Sequence, residues 1–239
     1  MGKTFPEWVK AIALKRVLHY VNKDFDRNGT KVLNWLIHHD RGGGVSHEAR
    51  MVKDAISDPN NNWSKLVGSL WTDIDDGQRL RLFENFVING SMIGTPRQRR
   101  YSEKYNCNIP WAILMDPTSA CNLHCTGCWA AEYDHKLNMT LDELDSIIKQ
   151  GKATGTYFYI YSGGEPLVRK KDIITLCEKH PDCAFLSFTN GTLIDEDFAN
   201  EMLRVKNFVP AISVEGFQKA TDSRRGEGTY DKVIKAMEV

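Results

Sequence analysis

The sequence predicts an α/β fold with an all-helical region in front of it, and three observations carry that expectation. From Ile109 onward, short apolar runs alternate with amphipathic helical patterns, the rhythm of a parallel sheet that is either open or closed into a barrel. Before residue 95 the apolar residues recur at helical spacing only. Three cysteines fall within eight residues just after the first apolar run, at the strand end where parallel βα architectures bind ligands.

The helical region is read over residues 1–95. Trp8, Ile12, Leu14, Val17, Leu18 and Val21 mark a first helix, and Val32, Leu33, Leu36 and Ile37 a second. Ser46 is placed as the cap of a third, with Met51, Val52, Ala55 and Ile56 on its apolar face. Trp63, Leu66, Val67, Leu70 and Trp71 form a fourth stripe; Leu80, Leu82, Phe83, Phe86 and Val87 form a fifth, expected to close at Asn89-Gly90. A helical bundle packing its own core accounts for these stripes. Residues 96–108, polar and rich in arginine, read as a linker.

The strand–helix region spans 109–239. Runs 111–115, 157–161, 184–188 and 209–214 are read as four strands, with Pro210 near the start of the last, where a missing N–H is tolerated. Thr140 and Glu143 have the spacing of a capping box opening a helix through Leu144, Ile147 and Ile148. Asp172 and Asp195 start two further helices, and Val233, Ile234 and Met237 mark the last. The chain ends inside that helix, so a longer protein is expected.

Formal net charge is zero, with 16 Lys/Arg against 11 Asp/Glu over residues 1–100 and the reverse imbalance after them. No global field favours nucleic acid, and no partner of that class is expected. No apolar run is long enough for a membrane span, and a cytoplasmic location is expected. In a reducing compartment clustered cysteines point to metal rather than disulfides.

The segment Cys121-Asn-Leu-His-Cys125-Thr-Gly-Cys128 carries the chemistry. Three thiolates on one loop can hold three irons of a [4Fe–4S] cluster and leave the fourth open to a small molecule. The rivals are structural zinc with His124, His135 or Cys107 as fourth ligand, although no second cysteine arm is present, and a non-catalytic iron–sulfur binding module. Cys177 and Cys183 read as packed thiols. The Asp24-x-Asp26-x-Asn28-Gly29 stretch lacks a calcium loop's closing glutamate and reads as a turn, and His38-His39-Asp40 reads as surface.

The C-x3-C-x2-C spacing resembles the signature of the radical S-adenosylmethionine (radical SAM) superfamily. Ser162-Gly163-Gly164-Glu165-Pro166, Thr189-Asn190-Gly191-Thr192, Ser213-Val214-Glu215-Gly216 and the segment from Arg225 to Tyr230 follow in that family's order, the last similar to its peptide- and protein-modifying subgroup. The resemblance covers 109–239. It implies a partial (β/α) TIM-like barrel of radical SAM type, truncated after its first four βα units. It implies a [4Fe–4S] cluster on Cys121, Cys125 and Cys128 and S-adenosyl-L-methionine as cofactors. It further implies a one-electron reductant of flavodoxin or ferredoxin type, and a substrate that is not identified, with peptide or protein modification favoured. It assigns Gly163 and Gly164 to close approach of the methionine amine, Glu165 to a hydrogen bond with that amine, Asn190, Ser213 and Glu215 to the ribose or methionyl end, and Arg225 to the carboxylate. Many members carry an aromatic residue just before the third cysteine; Gly127 stands there, with Trp129 two residues on.

Overall fold

The computed structural model describes residues 5–39, 44–132 and 137–239. His135 and Asp40 lie outside them. The chain divides between residues 84 and 85 into two compact units.

The first unit is helical: α1 (Phe5–Asn22), α2 (Thr30–His39), α3 (Gly44–Ser57), α4 (Asn62–Thr72) and α5 (Asp76–Phe83). The Asp24–Gly29 stretch is a single π-type turn, Phe25–Gly29, capped by Asp24, whose side chain accepts from the Arg27 N–H. Helix α3 begins two residues before Ser46, which therefore sits inside the helix and not at its cap. Buried Arg79 ties α5 inward. Its guanidinium donates to Asn22 Oδ1 (2.9 and 3.0 Å), Leu70 O (2.8 Å) and Ile74 O (3.0 Å) and lies 5.1 Å from the Trp71 ring centroid. Satisfying so many donors is what makes a buried guanidinium tolerable.

In the second unit the sequence expectation of a linker fails. A π-type segment, Glu84–Gly94, runs into α6 (Thr95–Tyr105), so Asn89-Gly90 stops nothing. Asn85 and Asn89 are buried, and their amides donate to Pro181 O (3.0 Å), Cys183 O (2.7 Å) and Asp182 O (3.0 Å). Gln98 donates to Gly155 O (2.8 Å) and Arg97 to Lys152 O and the Tyr157 hydroxyl (both 3.3 Å). The stretch is polar because its side chains satisfy backbone carbonyls, and that polarity reads as solvated surface.

Four strands follow: β1 (Ala112–Met115), β2 (Phe158–Tyr161), β3 (Ala184–Thr189) and β4 (Phe208–Ile212), parallel and in sequence order across the sheet. Between and after them come α7 (Leu141–Thr154), α8 (Lys170–Lys179), α9 (Glu196–Val205), α10 (Gln218–Arg225) and α11 (Thr229–Glu238). Period-two alternation sends Tyr159 and Tyr161 of β2 into the core with Leu144, Ile148, Ile173, Leu176, Phe185 and Phe208. Leu114 of β1 and Phe188 of β3 are exposed. This is the expected partial barrel, following a helical region along the chain. Helix α10 had no apolar stripe to announce it and is absent from the sequence reading.

The caps predicted at Thr140 and Asp195 are present. Thr140 and Glu143 form a reciprocal capping box, Thr140 N to Glu143 Oε2 at 2.7 Å and Glu143 N to Thr140 Oγ1 at 3.2 Å. Asp195 caps α9 through the Phe198 N–H at 2.9 Å. Helix α8 starts at Lys170, two residues before the expected Asp172, after a 3-10 turn, Pro166–Arg169. In β4, Phe185 N donates to Asn207 O and Ser213 N donates to Thr189 O, so its odd-numbered residues bond to β3. Pro210 is even-numbered, and its missing N–H falls on the outer edge. No helix of the described residues is long and apolar enough to cross a membrane.

Candidate active site

Because the strands are parallel and adjacent, their C-terminal ends lie along one rim. That rim carries the cysteine loop after β1, Ser162–Glu165 after β2, Thr189–Thr192 after β3 and Ser213–Glu215 after β4. Backbone bonds fasten these loops together. Ser162 N donates to Met115 O (2.9 Å), Gly164 N to Thr118 O (3.0 Å) and Glu165 N to Ala120 O (2.8 Å). On the far side, Thr126 N donates to Arg224 O at 2.7 Å, tying the cysteine loop to the end of α10.

The two glycines make that fastening possible. A Cβ on Gly164 would overlap the backbone carbonyls of Ser119 and Ala120. Gly163 has φ +106°, and a Cβ there would stand 2.6 Å from Thr118 O and 3.0 Å from Asp116 Cβ. Their missing side chains are used by the chain itself, to seat the cysteine loop against the end of β2.

Glu165 is 1% exposed. Its Oε1 accepts from Leu167 N (2.9 Å) and Thr189 Oγ1 (2.7 Å), and its Oε2 from Asn190 N (2.7 Å). Burial raises its pKa, and these hydrogen bonds and Arg225 pull the other way. Asn190 continues the chain of bonds. Its Nδ2 donates to Asn122 Oδ1 (2.9 Å), and Asn122 Nδ2 donates to Thr192 Oγ1 (2.8 Å). Thr192 then returns both its N–H and its hydroxyl to Asn190 Oδ1. Asn122, between the first two cysteines, is thereby locked to the β3 turn. Sequence reasoning did not single out Asn122, Thr189 or Thr192 individually; the asparagine inside the cysteine motif was the available signal.

Cys121, Cys125 and Cys128 are partly exposed free thiols on one irregular loop. Burial pushes the Cys121 and Cys125 thiols up; Glu165 and Cys128 add to the rise at Cys121, Cys121 and Cys128 add to it at Cys125, and Arg225 opposes it there. Among the described residues no three His, Cys, Asp or Glu side chains already close on a metal position. The donor set itself fits iron: three soft thiols, mutually in electrostatic reach, beside a cationic guanidinium that offsets thiolate charge. Cys107 is exposed after α6, while Cys177 and Cys183 are buried with their pKa pushed up by desolvation.

Gly127 has φ +69°, a conformation an aromatic side chain rarely adopts, which is a local reason for glycine before the third cysteine. Trp129 lines a cavity of about 330 Å³ together with Asp116, Thr118, Ser119, Gly163 and Gly164. Opposite, Glu215 is bound by both arginines of α10: Arg225 Nε to Oε2 (2.5 Å), Arg225 Nη2 to Oε1 (2.7 Å) and Arg224 Nη1 to Oε1 (2.8 Å). The Arg225 bonds come first in holding the Glu215 carboxyl below its ordinary range. Ser213 donates its N–H to Thr189 O and is partly exposed. The structure thus brings every expected site residue to one rim, with Glu165 and Glu215 already engaged by the protein.

A family model described as the radical SAM superfamily matches residues 115–239. An Fe-coproporphyrin III synthase of Methanosarcina barkeri is 28% identical over 130 residues, 52% of this chain and 32% of the synthase. A GTP 3′,8-cyclase of Clostridium perfringens is 29% identical over 147 residues, 57% of this chain and 44% of the cyclase. The structure of Streptococcus suis SuiB bound to S-adenosylmethionine covers 80% of this chain and 42% of SuiB at 20% identity and a TM-score of 0.50, a likeness of fold. The chain spans less than half the length of each of these proteins.

Proposed function

The chain belongs to the radical SAM superfamily, whose enzymes use a [4Fe–4S] cluster and S-adenosylmethionine, and from that premise we propose that it cleaves S-adenosylmethionine reductively and directs the radical at a peptide or protein. The observation that most supports the reading is the seating of a three-thiol loop against Gly163–Glu165 and the β3 turn. When bound, the cluster and cofactor would supply one-electron reductive cleavage and the hydrogen-atom abstraction that follows from it.

The chain's own residues hold and orient. Cys121, Cys125 and Cys128 would ligate three irons and leave one corner for the cofactor. The family resemblance gives Asn190 and Ser213, neutral groups at the ends of β3 and β4, to the ribose hydroxyls or the methionyl end. Glu215 and Arg225 act as a unit, with the carboxylate fixing the guanidinium that would meet the cofactor's carboxylate. Gly163 and Gly164 set the cavity wall. A flavodoxin- or ferredoxin-like protein would donate the electron. The peptide class rests on the likeness of residues 225–230 to the peptide-modifying subgroup.

The test is anaerobic. Full-length protein reconstituted with iron and sulfide, then given dithionite and S-adenosylmethionine, is expected to release 5′-deoxyadenosine. Cys125→Ala is expected to lose most of its iron and release none. A fully loaded wild type that makes no 5′-deoxyadenosine, or a Cys125→Ala protein that keeps its whole iron complement, refutes the proposal.

A further inference from the structure

The family resemblance gives Glu165 to the cofactor's amine, yet this carboxylate is 1% exposed and already accepts three hydrogen bonds from Leu167, Thr189 and Asn190. A second carboxylate stands at the end of β1, against Gly163. Asp116 is the first residue beyond β1, exposed where Met115 before it is buried. It lines the 330 Å³ cavity with Gly163, Gly164 and Trp129. The left-handed turn at Gly163 lets Asp116 pack this closely, since any Cβ there would crowd its own. Among the described residues Asp116 has no hydrogen bond or ion pair, and desolvation is the sole influence on its carboxyl, raising its pKa. A carboxylate at a cavity wall, with no cation of its own among the described residues, is stabilised by a ligand that brings one.

We propose that Asp116, and not Glu165, is the carboxylate that receives the methionyl ammonium group of S-adenosylmethionine. Glu165 is then a positioning residue, holding the ends of β2 and β3 together beneath the cysteine loop. The inference rests on the radical SAM reading above and deepens it at one residue.

The experiment measures equilibrium binding to cluster-loaded, unreduced, full-length protein under anaerobic conditions. Three probes separate the cofactor's groups. S-adenosylmethionine carries the ammonium and the sulfonium, S-adenosylhomocysteine carries the ammonium without the sulfonium charge, and 5′-methylthioadenosine carries neither. In Asp116→Asn, the first two are expected to weaken by about tenfold or more, the scale of a hydrogen bond to a charged group, and methylthioadenosine by less than twofold. Iron and sulfide content and the unfolding midpoint are expected to stay at wild-type values. Glu165→Gln is expected to show the opposite pattern, a lower midpoint and poorer iron retention, because an amide nitrogen then faces one of three buried donors. Asp116→Ser provides a second variant should the asparagine fail to fold, with the same expected pattern. Unchanged affinity for S-adenosylmethionine overturns the assignment. So does a loss for S-adenosylmethionine alone, which would put Asp116 on the sulfonium, and so does an equal loss for all three probes. A wild-type protein that takes up its cluster but binds no S-adenosylmethionine overturns the underlying reading as well.

Discussion

At the scale of single residues, the titrating groups away from the rim have distinct consequences. Asp145 of α7 is buried beside His180, whose Nε2 lies 2.7 Å from Asp145 Oδ1, with Lys149 Nζ at 2.6 Å and Lys179 Nζ at 3.1 Å from Oδ2. Burial alone would raise the Asp145 pKa, but hydrogen bonds from Lys149, Lys179 and His180 hold it well below the usual carboxylate range. Burial lowers the His180 pKa, and the pull from Asp145 only partly offsets this. A neutral imidazole donating from Nε2 fits the unpartnered Nδ1, which then needs no acceptor. The unfolded chain therefore takes up His180's proton near pH 6.5 while the folded chain does not. Its contribution to stability is complete above that value and is lost as pH falls through the folded value. The melting temperature is expected to drop between pH 7.5 and 5.5, and His180→Gln is expected to flatten that part of the curve. An unchanged slope in the variant would show that other groups govern it.

At the scale of elements, local chemistry set most boundaries. The capping box at Thr140 and the cap at Asp195 were legible because each places a side-chain oxygen where helix N–H groups lack partners. Thr140→Ala is expected to cost about 1 kcal/mol of stability, read from the denaturant midpoint at unchanged slope. The four strands were legible to within a residue or two from their apolar runs. What failed was polarity as a signal. Residues 95–105 look like solvated linker because Arg97 and Gln98 spend their donors on carbonyls some fifty residues away in sequence, which no local pattern records. The site divides in the same way. The cysteines and Gly163–Glu165 declare themselves by spacing. Asn122's bond to the β3 turn, and Asp116's lack of a partner, exist only once strands far apart in sequence lie side by side.

At the scale of the whole molecule, the boundary between units falls just inside the start of the π-type segment, after Glu84, and not at a linker. Asn85, Asn89, Arg97 and Gln98 satisfy carbonyls of residues 152–183, and Ile88 and Ile93 are buried with them. A shortened chain starting at residue 85 is expected to unfold cooperatively in a thermal melt. One starting at residue 109 is expected to melt far lower or aggregate, since it leaves those carbonyls without donors. Equal melting temperatures for the two would mean that α6 and the segment before it contribute no stability.

Pro210 has a consequence for whatever strand lies along the outer border of the sheet. Because odd positions of β4 face β3, a newcomer strand alongside the other border meets N–H donors at Phe208 and Ile212 and none at the proline between them. A ladder built there skips a rung, which favours only a neighbour, from this chain or another, whose own bonding pattern tolerates the gap.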